Sequence, residues 1–409
     1  MNQSRRRKAL EGVKVVDFTW MVAGPMMTRS LADNGATVVL IEGGLSKVPV
    51  LRTASPFMGK KPGINRSGYF AIYAGGKYSI TLDLSHPRGL DVAMRLVVWA
   101  DVVAESFRPG VVKKLGLDYD RLKTVNPSVI MVSTTNQGQT GPQARQPGVG
   151  TQLVSLAGFT EITGWPDRVP AQPYGAYTDV IAPRFGVVAI LAALDYRRRT
   201  GKGQYIDLSQ YEAGIQFLAP AVLDYSANGR VLKRAGNECP YACPHNVYPC
   251  VGEDRWCAIA VFSNQEWQEL CRLMERPELG QDPKFTTLGG RKQNEEYLDQ
   301  IIGSWTRNHR AEELMDKLQS AGIAAGMASN CQDLHEDRQL KHRHHFWVLD
   351  HSEMGPHSYD GPPYLLSKTP ASVKRAAPCL GEHNEFVCRE FLEMSDEEFL
   401  DLIGAGVFD

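Results

Sequence analysis

Eight cysteines in 409 residues are too few and too scattered for a disulfide scaffold, so they read as free thiols. Cys239, Cys243, Cys250 and Cys257 lie around His245, but the spacings lack the tight C-x2-C knuckle of structural zinc sites, and no metal is expected. Cys250 and Cys257 read instead as small apolar residues on strands. No excess of charge of either sign exists: the formal net charge is −1, which offers no general attraction to nucleic acid or an anionic membrane. The basic start, residues 1–8, is not followed by the apolar stretch of an export signal. The longest apolar run, residues 185–194, is too short to span a bilayer. The first β-α turn lacks Gly-x-Gly-x-x-Gly, which argues against a standard dinucleotide site. These absences leave a cytoplasmic enzyme or binding protein with no membrane or nucleic-acid partner.

An apolar content of 43% and a charged content of 22% are those of a globular chain, and the length implies two domains. Residues 13–18 read as a buried strand. A break at Ala23-Gly24-Pro25 follows, then a helix over 26–34 with Pro25 near its first turn, a stop at Gly35 and a second strand over 37–42. Strands over 79–84, 101–105, 129–133 and 204–208, with helices between them, extend this β-α-β pattern, which belongs to a parallel sheet covered by helices. Near Asn228 the pattern changes to a strand pair, 245–250 and 255–261, followed by amphipathic helices. The expected organisation is α/β: a Rossmann-like large domain over 1–227, a smaller α+β domain over 228–335, and a return segment, 336–409, that completes the large domain. Residues 352–382 read as connections and 386–392 as a closing helix.

The candidate for chemistry is Asp179, which follows Tyr174-Gly175-Ala176-Tyr177-Thr178 and stands at the mouth of the helix that carries the apolar run. By position alone, Asp179 or Thr178 is an N-cap. A carboxylate there is also held ionised by the unpaired N–H groups and the positive end of the helix.

Ordered motifs surround it. Asp17-Phe18-Thr19 with Ala23-Gly24-Pro25, Lys77-Tyr78-Ser79-Ile80-Thr81-Leu82-Asp83-Leu84, Phe107-Arg108-Pro109-Gly110, Leu115-Gly116-Leu117 and Gly138-Gln139-Thr140-Gly141-Pro142 come first. Gly175-Ala176-x-x-Asp179, Arg199-Thr200-Gly201-Lys202-Gly203-Gln204 and Pro244-His245-Asn246-Val247-Tyr248-Pro249 then follow. The set resembles the family III CoA transferases over about residues 10–265. The resemblance implies transfer of CoA from an acyl-CoA to a carboxylate through a covalent intermediate on Asp179. It implies no permanently bound cofactor, a CoA thioester as substrate, and an interlocked dimer of identical or related chains. It places Lys77, Phe107, Arg108 and Lys114 near CoA.

Asp17-Phe18-Thr19-Trp20, Asn65-Arg66-Ser67-Gly68-Tyr69-Phe70 and the segment after Tyr177 look most like the benzylsuccinate CoA transferase branch. That likeness implies succinyl-CoA as donor, an aromatic dicarboxylate as acceptor, an apolar acceptor pocket of Trp20, Met21, Val22 and Tyr177, and Arg184 on a second carboxylate. The chain departs from the family at Gly43, at Gly75 within Ala74-Gly75-Gly76, at Ser106 and at Gly150. Gly148-Val149-Gly150 also replaces the Gly-His-Asp of the related racemases, which removes one of the two bases a racemase needs. The departures leave two other expectations open: a non-catalytic or specialised subunit of a heteromeric transferase, and a CoA-binding protein without chemistry.

Overall fold

The computed structural model describes residues 8–409, which form two compact units. Residues 160–171 and 231–338 make one, and the rest of the chain makes the other.

The larger unit is built on six parallel strands: β1 (Lys14–Phe18), β2 (Thr37–Glu42), β3 (Tyr78–Thr81), β4 (Val102–Glu105), β5 (Ile130–Thr135) and β6 (Tyr205–Ser209). Their order is β3-β2-β1-β4-β5-β6, with Val15 opposite both Val38 and Val102, and Val102 opposite Ile130. Parallel neighbours need crossovers, and helices supply them on both faces. This is why the strands read as unbroken apolar runs. Successive side chains point to opposite faces. Val16, Val39, Ile80, Val103 and Met131 enter one core with Leu96 and Leu122. Val15, Val38, Val102, Ile130 and Val132 enter the other with Met27, Leu31 and Ile190. Each such side chain, fully buried, contributes about 1.5–3 kcal/mol. Val387, Cys388, Phe399 and Leu402, from the end of the chain, belong to the first core.

Three helices set the site. The first, α1 (Ala23–Asp33), starts three residues earlier than expected, so Pro25 sits in its first turn. Next come α2 (Gly150–Leu156) and α3 (Tyr177–Thr200). The run 185–194 is the middle of α3, which has 24 residues and is long and apolar enough, by length and composition, to cross a membrane. A helix in the core of a fold passes the same test, and Ile190 and Ala193 of α3 are buried in the second core. The buried side of α3 packs on α1: a Cβ on Gly186 would come within 2.3 Å of Met27 Sδ, so a larger residue there would force the buried Met27 side chain to shift. After β6 come two helices, α4 (Gln210–Phe217) and α5 (Ala219–Asn228).

The smaller unit has an antiparallel sheet, His245–Pro249, Trp256–Ala260 and Ala324–Met327, covered by helices whose core includes Trp267, Leu298, Ile302, Leu314 and Leu318. Cys243, Cys250, Cys257 and Cys271 are buried there. Burial pushes the Cys257 thiol up to about 11 and those of Cys243 and Cys271 up to about 12, so these three stay protonated. Among the described residues no group of His, Cys, Asp and Glu is arranged to hold a metal ion. In the larger unit, part of the expected connection over 352–382 is a strand, since Phe346–His351 and Gly355–Asp360 form a hairpin. The closing helix is a short turn, Asn384–Phe386, running into a π-helical turn, Val387–Phe391.

Candidate active site

The strand order reverses between β1 and β4, and the crevice beyond the carboxyl ends of such strands is where α/β sheets take ligands. Two cavities of the larger unit open there. One, of about 210 Å³, is lined by the β1–α1 turn from Trp20 to Gly24, by Ser106–Pro109 after β4, by Thr134 and Thr135 at the end of β5, and by Gly150, Asp179 and Gln210. The other, of about 360 Å³, lies over the ends of β1, β2 and β3 and includes Leu40, Gly43, Lys47, Phe70, Tyr73 and Leu84. Trp20, Met21 and Phe107 line both.

Asp179 is the third residue of α3, and the cap position is Ala176, which makes no side-chain cap bond. The carboxyl has no hydrogen-bond or ion-pair partner among the described residues, so the cap reading fails for it. Burial pushes it up to about 6. It is therefore mostly ionised at neutral pH but more basic than an ordinary aspartate, where the sequence reading expected the helix end to hold it low. Pro183 lies one turn on and has no N–H, so it cannot bond the Asp179 carbonyl as a regular helix would. Opposite stands Gly150: a Cβ there would lie 2.4 Å from Ala176 Cβ and 2.7 Å from both Asp179 carboxylate oxygens. The departure at this position is thus the space in which the carboxylate sits. Tyr69 and Tyr73, in T-shaped contact at 5.5 Å, are close enough for the Asp179 charge to raise their hydroxyl pKa values, behind burial as the larger cause.

The β1–α1 turn is held from both sides. Met21 has φ of 65°, a left-handed conformation uncommon for a residue with a side chain. Trp20 donates its backbone N–H to Ser106 Oγ at 2.9 Å and its indole N–H to the Ser106 carbonyl at 3.0 Å. Ser106 Oγ in turn donates to the Trp20 carbonyl at 3.3 Å. Glu105 accepts from the Phe107 N–H at 2.7 Å and from Gln139 Nε2 at 3.3 Å, which ties together two loops of the cavity wall. Burial pushes the Glu105 carboxyl up to about 7.

Asp179, Trp20, Met21, Val22, Phe107 and Arg108 meet around one cavity. Lys77 does not join them. It is fully buried, and its ammonium donates to Asp17 Oδ2 at 2.9 Å, Pro25 O at 3.0 Å and Thr28 Oγ1 at 2.8 Å, which uses all three of its protons. Lys114 is exposed on Val111–Leu115 and lines neither cavity, although Leu115 beside it lines the second. Tyr177 packs against Phe159 and Phe217, and Arg184 is exposed and away from both cavities. Helix geometry gives the reason: they lie about 200° and about 140° around the axis from Asp179. Sequence reasoning passed over Thr134, Thr135, Arg145, Gln210 and Lys47. Lys47 stands in the same cavity as Gly43, paired with Asp83 at 2.8 Å.

The family model described as CoA-transferase family III matches residues 10–384. A succinyl-CoA–D-citramalate CoA-transferase of Chloroflexus aurantiacus is 30% identical, the match covering 97% of this chain and 98% of that one. A succinate–glutarate CoA-transferase of Agrobacterium fabrum is 31% identical over 94% and 96%. A CAIB/BAIF family protein of Brucella suis has a matching crystal structure, with a TM-score of 0.86 and 31% identity over 94% of this chain and all of that one.

Proposed function

Since the chain belongs to CoA-transferase family III, we propose that it moves CoA from succinyl-CoA to a second dicarboxylic acid, with Asp179 as the covalent carrier. The observation that carries this reading is the unpartnered Asp179 carboxyl facing Gly150 in a cavity at the carboxyl ends of the strands. The names of the relatives point the same way, since each couples succinate or its thioester to another dicarboxylate. Trp20, Met21 and Val22 favour an acceptor with an apolar or aromatic body, such as (R)-benzylsuccinate.

The chemistry runs without net proton transfer. An Asp179 oxygen attacks the donor thioester carbon, the C–S bond breaks, and CoA leaves as a thiolate, giving a mixed anhydride. The thiolate attacks the Asp179 carbonyl carbon and expels the donor carboxylate, which leaves an aspartyl-CoA thioester. The acceptor carboxylate attacks that thioester carbon and releases the thiolate. The thiolate then attacks the acceptor carbonyl and restores Asp179. Each step trades one acyl bond for another, so the thioester energy is kept provided water stays out. In this reading Phe107 and Arg108 border the path of CoA, and Lys47 and Lys114 offer cations for its phosphates. The interlocked pairing of two chains implied by the resemblance belongs to the same reading, and the mass of the assembly in solution tests it.

Incubation with succinyl-CoA, followed by mass spectrometry, should find CoA on the peptide bearing Asp179. Absence of the adduct, together with full turnover by Asp179→Ala, would overturn the proposal. A panel of dicarboxylates, benzylsuccinate among them, assigns the acceptor.

A further inference from the structure

The floor of the Asp179 cavity holds polar groups that the CoA chemistry leaves unused. Thr134 and Thr135 end β5, Gln210 opens α4, and the three are 2%, 6% and 7% exposed. Thr134 Oγ1, Thr135 Oγ1 and Gln210 Oε1 are buried with no hydrogen-bond partner among the described residues. All three residues line the cavity that contains Asp179. A buried polar atom left unpaired costs about 1–3 kcal/mol, so three around one cavity are a standing cost that a ligand's polar group would remove. Arg145 lines the same cavity and makes no ion pair among the described residues.

We propose that Thr134, Thr135, Gln210 and Arg145 form the subsite for the carboxylate that lies away from Asp179 in a dicarboxylate substrate. This rests on the reading of Asp179 as the CoA carrier. A carboxylate suits the donors: it accepts from a threonine hydroxyl at the strand end, and the Gln210 amide turns its N–H2 toward it by rotating about its last bond. The guanidinium of Arg145 offsets a charge that would otherwise be costly to bring in from water. A cavity of about 210 Å³ suits a short acid better than a nucleotide. Donor acyl group and acceptor occupy the site in turn, so one subsite selects dicarboxylic acids on both sides of the exchange.

The test compares Thr135→Val, Gln210→Leu and Arg145→Gln with the unaltered enzyme, using succinyl-CoA and glutarate. KM for glutarate and for succinyl-CoA should rise at least about tenfold, as expected when a buried hydrogen-bonding site loses its partner. The inhibition constant of free CoA should stay where it was, and Thr135→Ser should restore KM. Unchanged KM values, or a parallel rise in the CoA inhibition constant, would overturn the subsite. Arg145 lies on an exposed loop, so Arg145→Gln carries the test if a buried variant fails to fold. Unchanged KM values with the CoA adduct still forming on Asp179 would sink the subsite alone, whereas absence of the adduct would sink the proposed function.

Discussion

Asp17 and Asp179 are both carboxylates drawn out of water near the carboxyl ends of the same sheet, and they are treated in opposite ways. Asp17 is fully buried and completely answered: Lys77 and Thr28 donate to one oxygen, and the Thr19 backbone N–H and hydroxyl donate to the other. Asp179 receives nothing, and burial leaves it at about 6. A buried charge with full partners belongs to the frame, whereas one held without partners stores a cost that chemistry can use. The lysine that family likeness places at CoA is therefore spent on the frame, locking the turn that presents Trp20 and Met21.

The largest expected effect breaks the unpartnered side of this contrast. Asp179→Asn should lower turnover by at least about a thousandfold, because no other carboxylate lines the cavity to take its place. The unaltered enzyme should lose kcat/KM for succinyl-CoA as pH falls through about 6, where Asp179 takes up a proton. Stability should move the other way. The folded carboxyl holds its proton more tightly than the ordinary value of 3.8, so the folded state binds more protons between about 4 and 6 and loses stability as pH rises through that window. The change is worth at most about 3 kcal/mol. Asp179→Asn should therefore melt higher than the unaltered protein at pH 7 and at the same temperature near pH 3, as read by thermal denaturation.

Breaking the answered side should cost stability first. Lys77→Met leaves Asp17 buried without its cation, which should destabilise the larger unit by about 3–5 kcal/mol in urea unfolding. Adding Asp17→Asn should recover more than half of that loss, since the burden is the unpaired charge rather than the missing lysine.

Gly150→Ala sharpens the contrast by filling the space before Asp179. Helix propensity alone would favour alanine by about 1 kcal/mol. Contacts of 2.4 Å to Ala176 and 2.7 Å to the carboxylate outweigh that gain. Turnover should fall about ten- to a hundredfold with little change in far-UV circular dichroism, because a small displacement at a reacting group is costly.

These residues also show what could be read from sequence and what could not. The parallel sheet was legible because strands covered on both faces leave unbroken apolar runs, as in Val15–Val16 and Val102–Val103. The strand Ala324–Met327 was not, because Ala-Ala-Gly-Met has little strand propensity and is held by its pairing with Trp256–Ala260. The hairpin over 346–360 was missed because its second strand is Gly-Pro-His-Ser-Tyr-Asp, which reads as a connection. Asp179 stood out through the motifs around it. Thr134, Thr135 and Gln210 had no such signal: each is an ordinary residue at the edge of an element, and only the fold reveals that it lines a cavity and carries a buried, unpaired polar atom. The misplacement of Arg184 was avoidable, since counting around the helix from Asp179 turns it away.

The smallest effect concerns the turn that Asp17 braces and that lines the cavity of Asp179. Ser106 replaces the residue the family carries after Glu105, and its hydroxyl bonds both the N–H and the carbonyl of Trp20. Ser106→Ala removes those two bonds but keeps the backbone carbonyl that receives the indole N–H. Trp20 should then stay in the wall but lose its fixed tilt, because one bond to a ring that is 44% exposed cannot hold its angle. Turnover should fall about three- to tenfold, the scale of one or two neutral hydrogen bonds. The loss should be greater for an aromatic dicarboxylate than for glutarate, since only the former needs the indole face. Equal losses for both acceptors would instead place the role of Ser106 in holding Met21 and the path of CoA.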